Sequence, residues 1–355
     1  SSLKAGRAIW YSPDQDFGLK QGVMAPFFGV QAATLTAHRR LIKIANAVAI
    51  PLFFYRTGDI KNPQYHILLE KQLESFPTNE ELNRLFPDKP VVLTRVDGHA
   101  SIANQKALDL AGIKAGQSIV GGSIEVKNGL LTGVLIDNAD NKVYAQIPSP
   151  TKDTYVQWLQ AAEKNCFAQG LTTITDCGLH YSDVETIDTL QQEGKLNMRL
   201  YVMLSDDAAN YEKFLPKGPY KTDKLFVKGI KVYADGALGS RGACLLKHYS
   251  DRKDWSGFLL RNKNHYDSLA GVLSKTDFQM CTHAIGDSAN REILKIYNKY
   301  LGGKNDKRWR IEHAQVIHPD DFNLFASASV IPSVQPTHGT SDMYWAEERL
   351  GKERV

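Results

Sequence analysis

The sequence predicts an α/β protein, a (β/α)8 TIM-like barrel that is incomplete, with strands two to seven recognisable and a β-hairpin elaboration. Three observations lead there. From about Thr151 onward, short β-rich runs alternate with capped helical stretches. Six such runs follow one another before the chain reaches Val355. No Gly-rich phosphate fingerprint follows any of them, which weighs against a nucleotide-binding open sheet, although rhythm alone does not separate an open sheet from a barrel.

Taken in order, residues 1–75 show weak periodicity and no motif attached to chemistry, and stand as an unassigned N-terminal segment. Residues 76–150 carry a strand at Pro90–Arg95 and a hairpin over Ser123–Asp137 that turns at Asn128-Gly129, a pair suited to tight primed turns. Residues 151–355 form the partial barrel. Thr151–Ala168 repeats Val156, Leu159, Ala162 and Cys166 at helical spacing, which predicts a helix with one buried face, stopped by Gly170. Strand Leu171–Asp176 follows. Ser182 and Glu185 form a capping box for a helix that buries Ile187 and Leu190 and ends at Gly194. Strands Met198–Leu204, Phe226–Ala234, Phe278–His283, Trp309–His313 and Val330–Val334 complete the set. The helices among them are His265–Ser274, Ser288–Leu301 and Pro319–Ser327.

Composition excludes several classes. The 43 basic and 39 acidic residues leave a charge of +4, and no run of five Lys or Arg tracks a phosphate backbone, so nucleic acid is not an expected partner. The most apolar stretch, Leu41–Tyr55, contains Lys43, Asn46 and Pro51 and falls short of the ~18 clean apolar residues of a membrane span. A soluble protein is expected, cytoplasmic by default. The four cysteines, Cys166, Cys177, Cys244 and Cys281, form no C-x-x-C pair and read as buried free thiols.

Three residues stand out for chemistry. In the run Lys-Gly-Ile-Lys-Val-Tyr-Ala-Asp-Gly, a period of two puts Lys231, Tyr233 and Asp235 on one face of a strand. A lysine there can form a Schiff base, as in a barrel aldolase or lyase, or a carbamate with carbon dioxide that bridges metal ions; it can also simply reach solvent, like Lys228 on the opposite face. His283 and His313 close two neighbouring strands on the side where barrel active sites lie, and neutral imidazole is a common zinc donor. Arg95, Asp97, His99, Asp235 and His338 are candidates to hold substrate, each equally suited to a turn or cap; Asp287 reads as a helix cap.

A set of blocks then carries a resemblance: Phe76-Pro-Thr-Asn-Glu-Glu-Leu, Arg95 to Asn104 running into Lys106-Ala-Leu, Gly133-Val-Leu-Ile-Asp, Gly170-Leu-Thr-Thr-Ile-Thr-Asp, Lys231 to Gly236, His283-Ala-Ile-Gly-Asp and Glu312-His-Ala-Gln. In this order, over about residues 76–345, they resemble the amidohydrolase superfamily and its N-substituted formamide deformylase-like branch. The resemblance implies a metal-dependent hydrolase of non-peptide carbon–nitrogen bonds acting on a small linear amide. It makes Lys231 a carbamylated bridging ligand and His283 and His313 ligands to zinc or another divalent metal, one or two ions. The sequence departs from the family in three places: it has no His-x-His among its ten histidines, no strand-end Asp of an eighth strand before Val355, and no small β-sandwich. The expectation is therefore a fragment or rearranged form of such an enzyme, or one with impaired metal chemistry. Unpaired strand edges would favour a homodimer.

Overall fold

The structure, a computed structural model, describes residues 79–95, 97–343 and 345–355 in full, and the backbone of four earlier strands. Those strands form two antiparallel ribbons, β1 (Val23–Phe27) with β2 (Val30–Thr34), and β3 (Leu52–Thr57) with β4 (Gln64–Leu69). Most of the apolar stretch Leu41–Tyr55, and Phe76, Pro77 and Thr78, lie outside the described residues. No described helix is long and apolar enough to cross a membrane.

A four-stranded antiparallel sheet comes next, built from β5 (Val92–Thr94), β6 (Ala100–Ala103), β7 (Gly122–Lys127) and β8 (Leu130–Asp137) in the order β5-β6-β8-β7. Its hairpin closes through Asn128 at φ 54° and Gly129 at φ 79°, two consecutive left-handed residues of the kind a tight primed turn needs. Ala103, Ala107, Leu108, Leu135 and Val143 give this sheet a core of its own.

The rest is a curled parallel half-barrel. Its parallel strands are β9 (Thr173–Leu179), β10 (Arg199–Ser205), β12 (Leu225–Tyr233), β13 (Gln279–Ala284), β14 (Arg310–His313) and β15 (Ile331–Ser333), adjacent in that order, while β11 (Tyr220–Lys221) runs antiparallel to β12. Central strands of such a sheet are covered on both faces and need continuous apolar character. All six residues of β13 are buried. Helices Lys263–Leu273 and Asp287–Leu301 seal its outer side with Tyr266, Leu269, Leu273, Ile293, Leu294 and Tyr297. Fully burying each such aliphatic side chain contributes roughly 1.5–3 kcal/mol.

Four expectations are corrected here. Helix Lys152–Ala168 forms as expected behind its Thr151 cap, yet none of its residues is buried and Trp158 is 58% exposed. It leads into the edge strand β9, whose far side has no neighbour among the described residues, so its apolar stripe is only half-buried, with Val156 and Leu159 packed against the rim of the core. The second helix, Tyr181–Gln192, is capped by His180 with Asp183 and not by Ser182 with Glu185, because the chain enters the helix two residues earlier. Asp287 is the first residue of its helix, with Gly286 at the cap position; its carboxylate accepts the N–H of Leu246 at 2.8 Å. Of the four free thiols only Cys281 is buried, and Cys177, on the edge strand, is exposed.

Candidate metal centre

Strand register brings the three leading candidates together. Tyr233 pairs with His283 across β12 and β13, and Ala284 pairs with His313 across β13 and β14. Lys231, His283 and His313 thus stand at the C-terminal ends of three adjacent parallel strands, the end where barrel enzymes keep their chemistry. Lys231 is 4% exposed and His283 1%. The His283 and His313 rings lie 4.7 Å apart by centroid, at 72°. Lys231 Nζ sits 4.7 Å from the centre of the Tyr233 ring, which is itself 5.3 Å from His283.

Backbone and hydrogen bonds hold these rings in place. His313 and Ala314 have φ of 74° and 43°, consecutive left-handed residues without glycine, a local strain of about 1–3 kcal/mol each that aims the His313 ring across the strand ends. Gln335 Oε1 bonds Nδ1 of His313. The same oxygen lies 3.0 Å from Nε2 of His338, whose Nδ1 is 3.0 Å from Asp342 Oδ2. His338 and His313 are 5.9 Å apart by centroid.

The electrostatics favour neutral donors. Burial disfavours the charged form of Lys231 and lowers its pKa against the pull of Cys177 and Glu312. Burial, with His99, His313 and Lys231 nearby, holds His283 well below the ordinary histidine range, and burial takes His313 to about 4. A neutral amine reacts with carbon dioxide and a neutral imidazole binds metal.

These donors suit a divalent cation. Neither ring nitrogen of His283 makes a full hydrogen bond, the nearest carboxylate oxygen being Asp235 Oδ1 at 3.5 Å from Nε2, and a buried polar group left that way calls for a partner. Among the described residues, no group of three or more His, Cys, Asp or Glu side chains is placed to hold a metal ion by itself. Lysine lies outside that set, and its carbamate oxygens would extend the donors beyond it.

The other candidates separate. His99 joins the cluster, its ring 4.9 Å from that of His283. Arg95 and Asp97 pair with each other at 2.6 Å and are each 38% exposed, with Asp97 also accepting the His99 backbone N–H. Asp235 is fully buried and accepts three backbone N–H groups, from Cys244, Ile285 and Gly286, so it braces the turn after His283. The sequence reading assigned no role to Asp137, Tyr233 or Gln335. Asp137 lay inside the quoted block Gly133-Val-Leu-Ile-Asp and Tyr233 on the Lys231 face, while Gln335 carried no signal beyond standing three residues before His338.

A curled parallel sheet with a buried lysine and two imidazoles at its C-terminal edge is the layout of a hydrolase barrel. The chain belongs to the amidohydrolase family, whose sequence model matches residues 70–355. It is 33% identical over 298 residues to the putative amidohydrolase YtcJ of Bacillus subtilis strain 168, covering 81% of this chain and 55% of that protein. It is 26% identical over 252 residues to the N-substituted formamide deformylase of Arthrobacter pascens, covering 67% and 46%. A metal-dependent hydrolase of uncharacterised function from Pyrococcus horikoshii OT3 matches the fold with a TM-score of 0.61 at 25% identity, over 80% of this chain and 56% of that one. The chain spans about half the length of the curated relatives it matches. Residues 1–84 match a different family, the bacterial lipid A biosynthesis acyltransferases. The N-terminal segment that carried no motif attached to chemistry is therefore similar to another kind of protein.

Proposed function

We propose that this chain is a metal-dependent hydrolase of a non-peptide carbon–nitrogen bond, acting on a small linear amide. The observation that carries the reading is the placement of Lys231, His283 and His313 on three neighbouring strand ends, the first two buried and the third half-buried, all held toward their neutral forms. Zinc or another divalent ion would be held by the two imidazoles and by Lys231 as its carbamate. In that conversion the neutral amine attacks carbon dioxide, an N–C bond forms and a proton leaves. Bound metal supplies Lewis-acid polarisation of an amide carbonyl and a water with a pKa of about 7.

The chain's own groups supply the rest. His338, set by Asp342 and Gln335, and the Arg95–Asp97 pair are the polar groups proposed to hold the substrate. The exposed part of the Tyr233 ring offers an apolar wall beside the lysine. Asp235 keeps the loop after His283 rigid through its three backbone bonds. The name of the Arthrobacter relative points to N-substituted formamides as the first substrates to try.

The test is metal analysis of the purified chain after loading with zinc and bicarbonate, alongside Lys231→Ala, with hydrolysis of a series of N-substituted formamides. Bound zinc and activity that both fall in the variant support the reading. Absence of bound divalent metal from the loaded parent chain overturns it. Borohydride trapping of a carbonyl compound on Lys231 would instead support the Schiff-base alternative.

A further inference from the structure

Resting on the metal-dependent reading above, we propose that Gln335 is a positioning residue that fixes the tautomer of His313, so that Nδ1 carries the hydrogen and Nε2 keeps the lone pair that a metal needs.

The contact itself is the first support. In a neutral imidazole one ring nitrogen donates and the other accepts, and the bond made by one decides the role left to the other. Oε1 of Gln335 faces Nδ1 of His313. A carbonyl oxygen only accepts, so that nitrogen is the N–H. Metal-binding histidines ordinarily give their second nitrogen to a carboxylate, a carbonyl or water, and an amide oxygen offers the same chemistry.

A closed path of side chains is the second. Nε2 of His338 lies 3.0 Å from the same Oε1, and Nδ1 of His338 lies 3.0 Å from Asp342 Oδ2. Gln315 Nε2 donates to that Asp342 oxygen at 2.6 Å. Because Gln315 stands two residues beyond His313, the path through Gln335, His338 and Asp342 starts and ends on one stretch of chain, just past β14. It ties that stretch to helix Thr337–Ser341. A glutamine on an open surface turns freely, whereas one whose oxygen serves two rings, the second of them held by a carboxylate, has little freedom left.

Burial explains why His313 needs this hold and His283 does not. His283 is enclosed, 1% exposed, with Asp235 Oδ1 3.5 Å from its Nε2. His313 is half-buried at the strand end. Packing around it is incomplete, so a hydrogen bond sets its ring.

The experiment reads the tautomer directly, from two-bond proton–nitrogen correlation spectra of the full chain labelled with 15N-histidine, metal-free at pH 7.5, with the His313 signals assigned by their loss in His313→Gln. The parent should hold the hydrogen chiefly on Nδ1. Gln335→Leu should shift the ratio toward Nε2–H by about 2- to 10-fold, the equilibrium effect of one neutral hydrogen bond. Gln335→Glu, whose carboxylate still accepts, should restore the parental tautomer, and a role in packing alone would show no such rescue. With Co(II) alone as probe, titrated against a chromophoric chelator, Gln335→Leu should bind about 10- to 100-fold more weakly than the parent. A parent spectrum with the hydrogen on Nε2 overturns the proposal, because the amide then presents its NH2 to the ring. So does a Gln335→Leu variant with the parental tautomer ratio, or with the parental Co(II) affinity. A parent chain that binds no Co(II) overturns the hydrolase reading instead, and the tautomer measured in metal-free samples keeps the two failures distinct.

Discussion

Asp235 accepts the backbone N–H of Gly286 at 2.9 Å across 51 residues of sequence, and so ties the end of β12 to the turn that follows His283. The same carboxylate takes the N–H groups of Ile285 and Cys244 at 2.9 and 2.8 Å. Asp235→Asn turns one acceptor oxygen into a donor facing other donors. It should destabilise the protein by about 2–5 kcal/mol, since bonds to a charged acceptor contribute about 1.5–3 kcal/mol each. Urea unfolding at about pH 8.5, above the carboxyl's pKa of about 7, measures this, and an unchanged midpoint would show that the clamp is not needed for stability.

Lys231 is buried, and its charged form is disfavoured there. Lys231→Met keeps length and apolar bulk while removing the amine. Stability should change by less than about 1.5 kcal/mol, and hydrolysis of a linear amide should drop by about 100-fold or more, because the interactions a metal makes are worth several kcal/mol of barrier. A variant that folds and hydrolyses like the parent would remove Lys231 from the chemistry.

In the metal-free protein the histidine pKa shifts become a pH dependence. Burial takes His313 to about 4 in the folded chain, against 6.5 when free. Between these values the unfolded chain binds the extra proton, so this group's contribution is complete above about pH 6.5 and is lost as pH falls toward 4. Burial raises Asp235 and Asp140 to about 7, which acts with the opposite sign, so the useful quantity is a difference between two proteins. The stability of the parent minus that of His313→Gln should fall from pH 7 to pH 4 in chelator-treated samples, and a flat difference would contradict the shift.

Strand edges set the fourth expectation. β15 carries Pro332, which has no N–H to offer and suits an edge position. β9 has no such guard and lies beside the exposed Trp158, Phe167 and Leu171. Sedimentation velocity over a hundredfold concentration range should therefore show self-association. A single monomer boundary at every concentration would mean that another part of the chain covers β9.

Much of the fold could be read from local pattern. The apolar runs of β12 and β13, the glycine stops, and the Asn128-Gly129 turn each act within a few residues, so the succession of strands along the chain and the strand-end positions of Lys231, His283 and His313 follow from sequence alone, while the side-by-side order of those strands does not. Caps were harder to place: His180 displaces Ser182, and Asp287 turns inward to Leu246, because both choices depend on what lies beside the helix end.

What tertiary structure alone decided concerns pairs distant in sequence. His99 and Asp137 are 38 residues apart and meet because β6 and β8 are neighbours in the antiparallel sheet; His99 then faces His283 because that sheet packs against the strand ends. The stripe Val156, Leu159, Ala162 and Cys166 carried the signal of a buried face, and the edge position of β9 left it only half-covered, with Val156 and Leu159 against the core. Periodicity records which face of an element is apolar. Whether that face finds a partner depends on which surfaces the folded chain brings together.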